Sequence, residues 1–426
     1  DEIRELRGKL GIVDPKLTVN ALEVLNRRYL LKDEMERIIE TPAQMFMRIA
    51  EAVAKVEGKY GGEPKESEKI FYDMMTRLEF IPNSPTLFNA GTEIGQLSAC
   101  FVLPVEDSLE SIFDAVKNMA LIEKSGGGVG FDFSKLRPKG DIVRSTKGVA
   151  SGPVSFMRVF DASTEVIKAG GKRRGAMMGI LRADHPDVIE FITSKQTLGI
   201  LSNFNISVAV TDEFIEALEK DEEYWLVNPR NREKTGKLKA KDVWNLMAKS
   251  AWDSGDPGVI FIDEINRHNP TPEVGMIEST NPCGEQPLLP YESCNLGSIN
   301  LTRIVEEGKI NWEKLRETVR NAVHFLDNVI DANKYALKEI EAITRANRKI
   351  GLGVMGFADM LIKLGIRYDS EEALQLGENL MKFIEEEAHK KSVEIGEERG
   401  SFPNFEKSIW KDKYSAMRNA TVTTIA

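Results

Sequence analysis

Asn281-Pro282-Cys283-Gly284-Glu285-Gln286-Pro287-Leu288-Leu289-Pro290-Tyr291-Glu292-Ser293-Cys294-Asn295-Leu296-Gly297-Ser298 holds two of the three cysteines in a chain of 426 residues. It follows a Pro-rich approach, Asn269-Pro270-Thr271-Pro272, and leads into an apolar run from Ile299 to Val305. Pro282, Gly284, Pro287 and Pro290 exclude a helix, and proline also lacks the N–H that an interior strand must donate. The stretch is therefore a loop between strands, with an amide, a thiol and a carboxylate at alternate positions. Alternate residues of extended backbone share a face, so Asn281, Cys283 and Glu285 are expected to face one space. On residue type alone a cysteine is more often a small buried hydrophobe than a reactive group. The flanking amide and acid on a rigid loop shift the balance toward chemistry. The carboxylate can act as a base and the thiol as a redox or hydrogen-atom centre; the residues alone leave the reaction open.

Composition narrows the classes around that loop. A chain of this length is either one large barrel or more than one domain, and 42% hydrophobic content supports a sizeable core. With 57 basic against 67 acidic residues the net charge is −10. That argues against a nucleic-acid binder, whose affinity rests on a basic surface. Three cysteines are too few for a disulfide scaffold, which points to a reducing, cytoplasmic setting. His185, His268, His324 and His389 are the only histidines and no CxxC or HExxH occurs, so no metal site is expected. No run approaches the ~18 apolar residues of a membrane span.

Outward from the loop, residues 1–80 are expected to be helical. Thr41-Pro42-Ala43-Gln44 combines an N-cap, proline at the first helical position and a capping-box glutamine. Residues 81–91, with two prolines, are expected to form a polar turn, and a short strand is expected around Cys100. Asp107-Ser108-Leu109-Glu110 has the spacing of a capping box, and the apolar spacing after it predicts a helix ended by Gly126–Gly130. A second helix is expected over 153–168, followed by a flexible basic loop, Lys168 to Gly175. Phe204 to Val210 alternates as a strand, Arg230 to Lys241 suggests an exposed hairpin, and Val259–Ile262 a buried strand. Leu315 to Val329 has the period of a long amphipathic helix. Alternating strands and helices of these lengths indicate an α/β fold. Gly351-Leu352-Gly353-Val354-Met355-Gly356 matches a dinucleotide fingerprint, but the residues before it are helical in pattern, so the match is discounted.

Taken together, Ser84–Gly91, Ser98-Ala99-Cys100, Gly126–Gly130, Gly170–Gly175, Asn281–Glu285, Ser293–Ser298 and Gly351–Met360 resemble the catalytic subunit of ribonucleotide reductases. The resemblance covers the chain from about residue 20 onward, and is greatest to the class II, adenosylcobalamin-dependent type. It implies a ten-stranded α/β barrel with a central finger loop bearing Cys283, preceded by an N-terminal helical region. The corresponding division is a helical region over 1–80 and a catalytic barrel over 81–426, with effector and dimer helices near 107–168. The implied reaction converts ribonucleotides, taken as diphosphates, to 2′-deoxyribonucleotides. Cys283 would carry a transient thiyl radical, Glu285 would be the base for the 3′ hydroxyl, and Asn281 would hold the ribose. Cys100 and Cys294 would supply reducing equivalents and end as a disulfide. Substrate contacts would come from Ser84, Thr86, Ala99, Cys100, Gly128, Asn281 and Glu285. A dNTP or ATP effector would lie near Asp107, Arg137, Arg144, Lys172 and Arg173 at a homodimer seam. The implied cofactor is adenosylcobalamin and the implied reductant a thioredoxin-like dithiol.

One departure bears on activity. The sequence stops at Ala426, where the family continues with a Pro-Thr-Gly phosphate loop, further strands and a C-terminal cysteine pair. The barrel is thus expected to be incomplete at its C-terminal side, with a complementary segment as a partner. Two other readings follow: an effector-binding, dimerising part that is inactive without that segment, and a dithiol oxidoreductase pairing Cys283 with Cys294.

Overall fold

The computed structural model describes residues 15–143, 147–169, 173–197 and 199–425. They divide into two compact units, one formed by residues up to Ala99 together with Cys294–Ala426, the other by Cys100–Ser293. Both mix helices and strands, as the α/β expectation requires.

The first unit opens with helices α1 (Val19–Arg28), α2 (Pro42–Ala54) and α3 (Pro64–Thr76). The capping box at α2 forms as read: the Thr41 hydroxyl accepts from the Gln44 N–H, and the Gln44 side chain accepts from the Thr41 N–H. Strand β1 (Phe80–Pro82) follows. Residues expected to be a plain turn instead contain a short helix, α4 (Ser84–Asn89). Asn83 caps it and Pro85 sits in its first turn, where a missing N–H does no harm.

The second unit is built on five parallel strands in the order β2 (Cys100–Val102), β3 (Gly128–Asp132), β4 (Met177–Arg182), β5 (Phe204–Val210) and β8 (Gly258–Phe261). Helices α5 (Leu109–Lys124) and α6 (Pro153–Val166) join the first of these, and the hairpin β6 (Glu223–Val227)–β7 (Lys234–Lys239) precedes β8. The cap of α5 is displaced from the expected one. Ser108 caps the helix by accepting from the Ser111 N–H, which leaves Asp107 available to hold Arg137. The strand expected near Val259 is not buried, because β8 ends the row. Lys168–Ala169 and Arg173–Arg174 pair as a two-residue hairpin.

The chain returns to the first unit through β11 (Ser293–Asn300). Helix α7 (Trp312–Ala332) buries Leu315, Val319, Ala322, Val323, Leu326 and Val329 on one face, as its period requires. Helix α8 (Lys338–Asn347), strand β12 (Ile350–Met355) and helix α9 (Phe357–Leu364) come next, then the 29-residue α10 (Glu371–Arg399). Of the discounted fingerprint, Gly351 and Gly353 lie inside β12, and only Gly356 stands between that strand and α9. In this unit β11 pairs antiparallel with β1 and parallel with β12. Residues 421–424 run alongside β12, joined to it through Ile350 and Leu352.

Candidate active site

In the second unit the Cys283 loop stands on a two-rung stem. Strand β9 (Ser279–Thr280) pairs antiparallel with β10 (Pro287–Leu288). The tip is a tight turn, not extended backbone: Gly284 has φ +88° and its N–H donates to the Asn281 carbonyl at 3.0 Å. The Asn281 N–H donates to the Gln286 carbonyl at 3.3 Å, and the Asn281 side-chain oxygen accepts from the Gln286 N–H at 3.0 Å. Asn281 is thus buried and braces the loop, while Cys283 is exposed at the tip. The common face expected from alternation is not how these side chains are arranged, because the chain reverses at Gly284.

Two glycines of β3 make the seat for this loop. A Cβ on Gly130 would collide with the Thr280 carbonyl, and one on Gly128 would press on the Pro282 ring at 2.8 Å. The Asn205 amide of β5 donates to the Pro282 carbonyl at 2.7 Å and tethers the loop from the next strand but one. Glu285 is half-buried, and its Oε1 accepts from the Cys100 thiol at 3.6 Å. Cys100, the first residue of β2, is buried. The structure therefore brings a carboxylate of the loop to a thiol 185 residues away. Asn205 was missed by the sequence reading; a polar residue in an apolar strand was its one signal.

The first unit holds the remaining candidates. Cys294 is fully buried in β11, its thiol directed at the carbonyls of Asn295 (3.4 Å) and Lys349 (3.5 Å). The Ala99 N–H donates to the Cys294 carbonyl. Thr86 is buried and donates its hydroxyl to the Leu97 carbonyl at 3.1 Å, while Ser84 lies 2.9 Å from the Tyr29 hydroxyl. Nearby, the buried Asn83 Nδ2 and Gln96 Nε2 have no hydrogen-bond partner among the described residues. Burying a polar group in that state is unfavourable, which marks both amides as available to a ligand.

A cavity of about 870 Å³ opens at the start of α5, entirely within the second unit, lined among others by Asp107, Arg137, Phe156, Arg230 and Asn231. Arg137 donates to Asp107 at 2.8 Å, and Arg230 makes two bonds to Asp141 at 2.8 and 2.9 Å. Those bonds, joined by one from Asn228, hold the Asp141 carboxyl well below the usual carboxylate range. Arg144 and Lys172 lie outside the described residues, and Arg173 is described only as a backbone position of the short hairpin. Arg230 and Asn231 were missed because the basic stretch from Arg230 to Lys241 suggested only an exposed hairpin. Among the described residues no three His, Cys, Asp or Glu side chains gather as a metal-ligand set, and no helix is long and apolar enough to cross a membrane.

Comparison with known proteins settles the family. Residues 98–424 match the profile described as "Ribonucleotide reductase, barrel domain", and residues 15–95 match "Ribonucleotide reductase, all-alpha domain". The chain belongs to the ribonucleotide reductase family. A vitamin B12-dependent ribonucleoside-diphosphate reductase of Thermoplasma acidophilum is 53% identical over the whole of this chain and 63% of its own length. The protein of the same description from Mycobacterium tuberculosis is 48% identical, with 100% and 62% covered. A ribonucleoside-diphosphate reductase subunit alpha of Chlamydia pneumoniae is 31% identical, with 94% and 41% covered. The chain thus spans less than two thirds of the length of these relatives.

Proposed function

We propose that this chain carries the radical loop and reducing cysteines of an adenosylcobalamin-dependent ribonucleoside-diphosphate reductase, acting in the cytoplasm. The observation that carries the reading is the Cys100 thiol bonded to Glu285 on a loop whose tip exposes Cys283. Overall, a ribonucleotide and two thiols give a 2′-deoxyribonucleotide, a disulfide and water. In this assignment Cys283, as a thiyl, takes the 3′ hydrogen atom of the substrate and later returns it. Glu285 takes the 3′ hydroxyl proton, which a carboxylate positioned by the loop can do. The 2′ hydroxyl leaves as water with a proton from the cysteine pair, and Cys100 and Cys294 supply two electrons and close a disulfide. Asn281 holds the ribose and, by bracing the turn, keeps Cys283 and Glu285 in place; Ser84, Thr86, Ala99, Cys100 and Gly128 complete the substrate contacts. A thioredoxin-like dithiol reopens the disulfide.

Adenosylcobalamin, when bound, supplies the initiating radical. The chain fits such a group at one point: Cys283 is exposed, and among the described residues, the chain neighbours aside, nothing lies within 4 Å of where a Gly284 Cβ would be. The vitamin B12-dependent relatives support the assignment. The effector is a dNTP or ATP in the cavity beside Asp107 and Arg137, with Arg144, Lys172 and Arg173 contributing; guanidinium groups suit its phosphates. Leu109, Phe113 and Leu121 are exposed on α5 and form the homodimer seam with α6. The proposed division is a helical region over 1–80 and a barrel over 81–426, the remainder of the relatives' length acting as a complementary segment.

The test is CDP reduction by this chain joined to that remainder, with a dithiol and effector, with and without adenosylcobalamin. Cobalamin-dependent product that disappears in Cys283→Ser supports the proposal. Product requiring a metal-radical subunit instead would overturn the cofactor. Nucleotide binding without turnover under any condition would overturn the catalytic reading and leave an effector-binding part.

A further inference from the structure

The first unit contains a buried ionic cluster that the proposed reaction does not use. Asp327 of α7 is fully buried, and its Oδ1 accepts from Arg348 Nε (3.0 Å) and Nη2 (2.8 Å) and from Asn419 Nδ2 (3.0 Å). Arg418 approaches its other oxygen at 3.3 Å. Arg348 also reaches the Asp327 carbonyl and the Asp331 carboxylate. Asn419 is fully buried, and its own oxygen accepts from the Ser392 hydroxyl at 2.9 Å. Buried ion pairs of this kind seldom add stability over apolar residues of the same size, because desolvation offsets the attraction. A role in holding geometry is the alternative, and the contacts say which geometry.

The cluster surrounds Arg348 and Lys349, the two residues that connect α8 to β12, and their neighbours Asn347 and Ile350. Arg348 itself is in the left-handed region, φ +47°, a conformation that a non-glycine residue keeps only when its surroundings impose it. The Asn347 carbonyl accepts from the Ala420 N–H at 3.0 Å, and the Arg348 carbonyl from Asn419 Nδ2 at 3.1 Å. The Ile350 carbonyl accepts from the Thr421 hydroxyl at 3.1 Å, while the Ile350 N–H donates back to the Thr421 carbonyl. Between them lies the Lys349 carbonyl, which accepts from the Cys294 thiol at 3.5 Å, the thiol's other acceptor being the Asn295 carbonyl at 3.4 Å on its own strand. An S–H donor is weak, so how firmly its acceptor is placed decides where it points.

We infer that Asp327, Arg348 and Asn419 are positioning residues for Cys294: they lock the Lys349 carbonyl and so aim the Cys294 thiol. This rests on the reading of Cys294 as a redox thiol. Disulfide formation tolerates little error in sulfur position, which is why a reducing cysteine gains from a fixed acceptor.

The test separates this inference from that reading. In a chain carrying Cys100→Ser and Cys283→Ser, Cys294 is the sole thiol, and its S–H stretching band is recorded by Raman spectroscopy. The expected band is single, narrow and at the low wavenumber of a hydrogen-bonded thiol. Asn419→Ala is expected to broaden it and move it to higher wavenumber; Thr421→Val, a milder change on the same segment, is expected to do so to a lesser degree. A folded Asn419→Ala chain with an unmoved band overturns the inference. If Asn419→Ala does not fold, an unmoved band in Thr421→Val overturns it. With all three cysteines present, disulfide closure between Cys100 and Cys294 by an oxidised dithiol is expected to slow severalfold in Asn419→Ala. A band that shifts while no variant, nor the parent, forms that disulfide would sink the redox reading alone.

Discussion

The two cysteine-bearing regions of this protein are held by opposite means. Cys283 sits on an exposed turn whose seat is made by what is missing: two glycines without side chains, one backbone pair at the stem and a single tethering amide from Asn205. Cys294 sits on a buried strand and bonds to the carbonyl of Lys349, the residue after Arg348 in a buried cluster with Asp327, Asp331 and Arg418. The contrast teaches that access and aim are different structural problems. On the proposed function, a group reached by a bulky cofactor and a substrate stays open, and the contacts named hold the base of its loop. A group that must meet another sulfur at bonding distance can be enclosed, and buried polar contacts then specify its position.

The sharpest way to break this comparison is Asp327→Ala. It strands Arg348 and Arg418 without their shared carboxylate, and removing one partner of a buried pair costs about 3–5 kcal/mol. Urea denaturation monitored by circular dichroism should show a loss of that size; a loss below about 1 kcal/mol would mean the cluster is no anchor.

Buried acids in the two units give a second, nearly as large, difference. Burial pushes Glu123 of α5 up to about 7, its Thr164 partner being a hydroxyl and not a cation. Its folded value lies above the ordinary 4.5. Its stabilising contribution is therefore complete below pH 4.5 and is lost as pH rises through about 7. Burial also opposes ionisation of Glu57, but hydrogen bonds from His324 and Asn328 and the charge of Arg399 bring it down to about 2. Its contribution is present above pH 4.5 and is lost as pH falls toward 2. Glu123→Gln should flatten the alkaline side of the stability profile, gaining up to roughly 3 kcal/mol at pH 8. Glu57→Gln should flatten the acid side only. Thermal melts from pH 3 to 8 distinguish the two, and identical profiles would contradict both assignments.

Gly130→Ala probes the loop's seat. The added methyl must push the Thr280 carbonyl away, and overpacking of this kind costs about 1–3 kcal/mol. CDP reduction should fall far more than stability does, because the displaced stem carries Cys283 and Glu285. Asn205→Ala is the smallest change. Loss of one hydrogen bond is worth about 1 kcal/mol, and faster alkylation of Cys283 with a melting temperature lowered by only about 2 °C is the expected signature.

Much of the local architecture was legible in advance. The capping box at Thr41, the proline-started helix at Pro153 and the long apolar stripe of α7 depend on neighbours a few residues away, so spacing reveals them. The fingerprint at Gly351 could be discounted for the same reason, since a helix precedes it. Where two local solutions were nearly equal, the reading slipped. Asp107 and Ser108 are both good caps, and Ser108 takes the role because Asp107 is engaged by Arg137, thirty positions on. The turn at Gly284 was mistaken for extended chain because the bonds that close it involve the Asn281 side chain as well as backbone.

The sequence by itself determined the α/β class, the order of the elements, the family and the stretch around Cys283. Each rests on residue type and short spacing, which the chain carries wherever it is placed. Only the tertiary structure decided that Cys100 meets Glu285, that Asn205 tethers the Cys283 loop, that Arg230 lines the cavity beside Arg137, and that Asp327 pairs with Arg348. Those pairings join residues from 21 to 185 positions apart. Which distant groups meet is set by packing, strand order and the need to satisfy buried charge, and no local pattern encodes that.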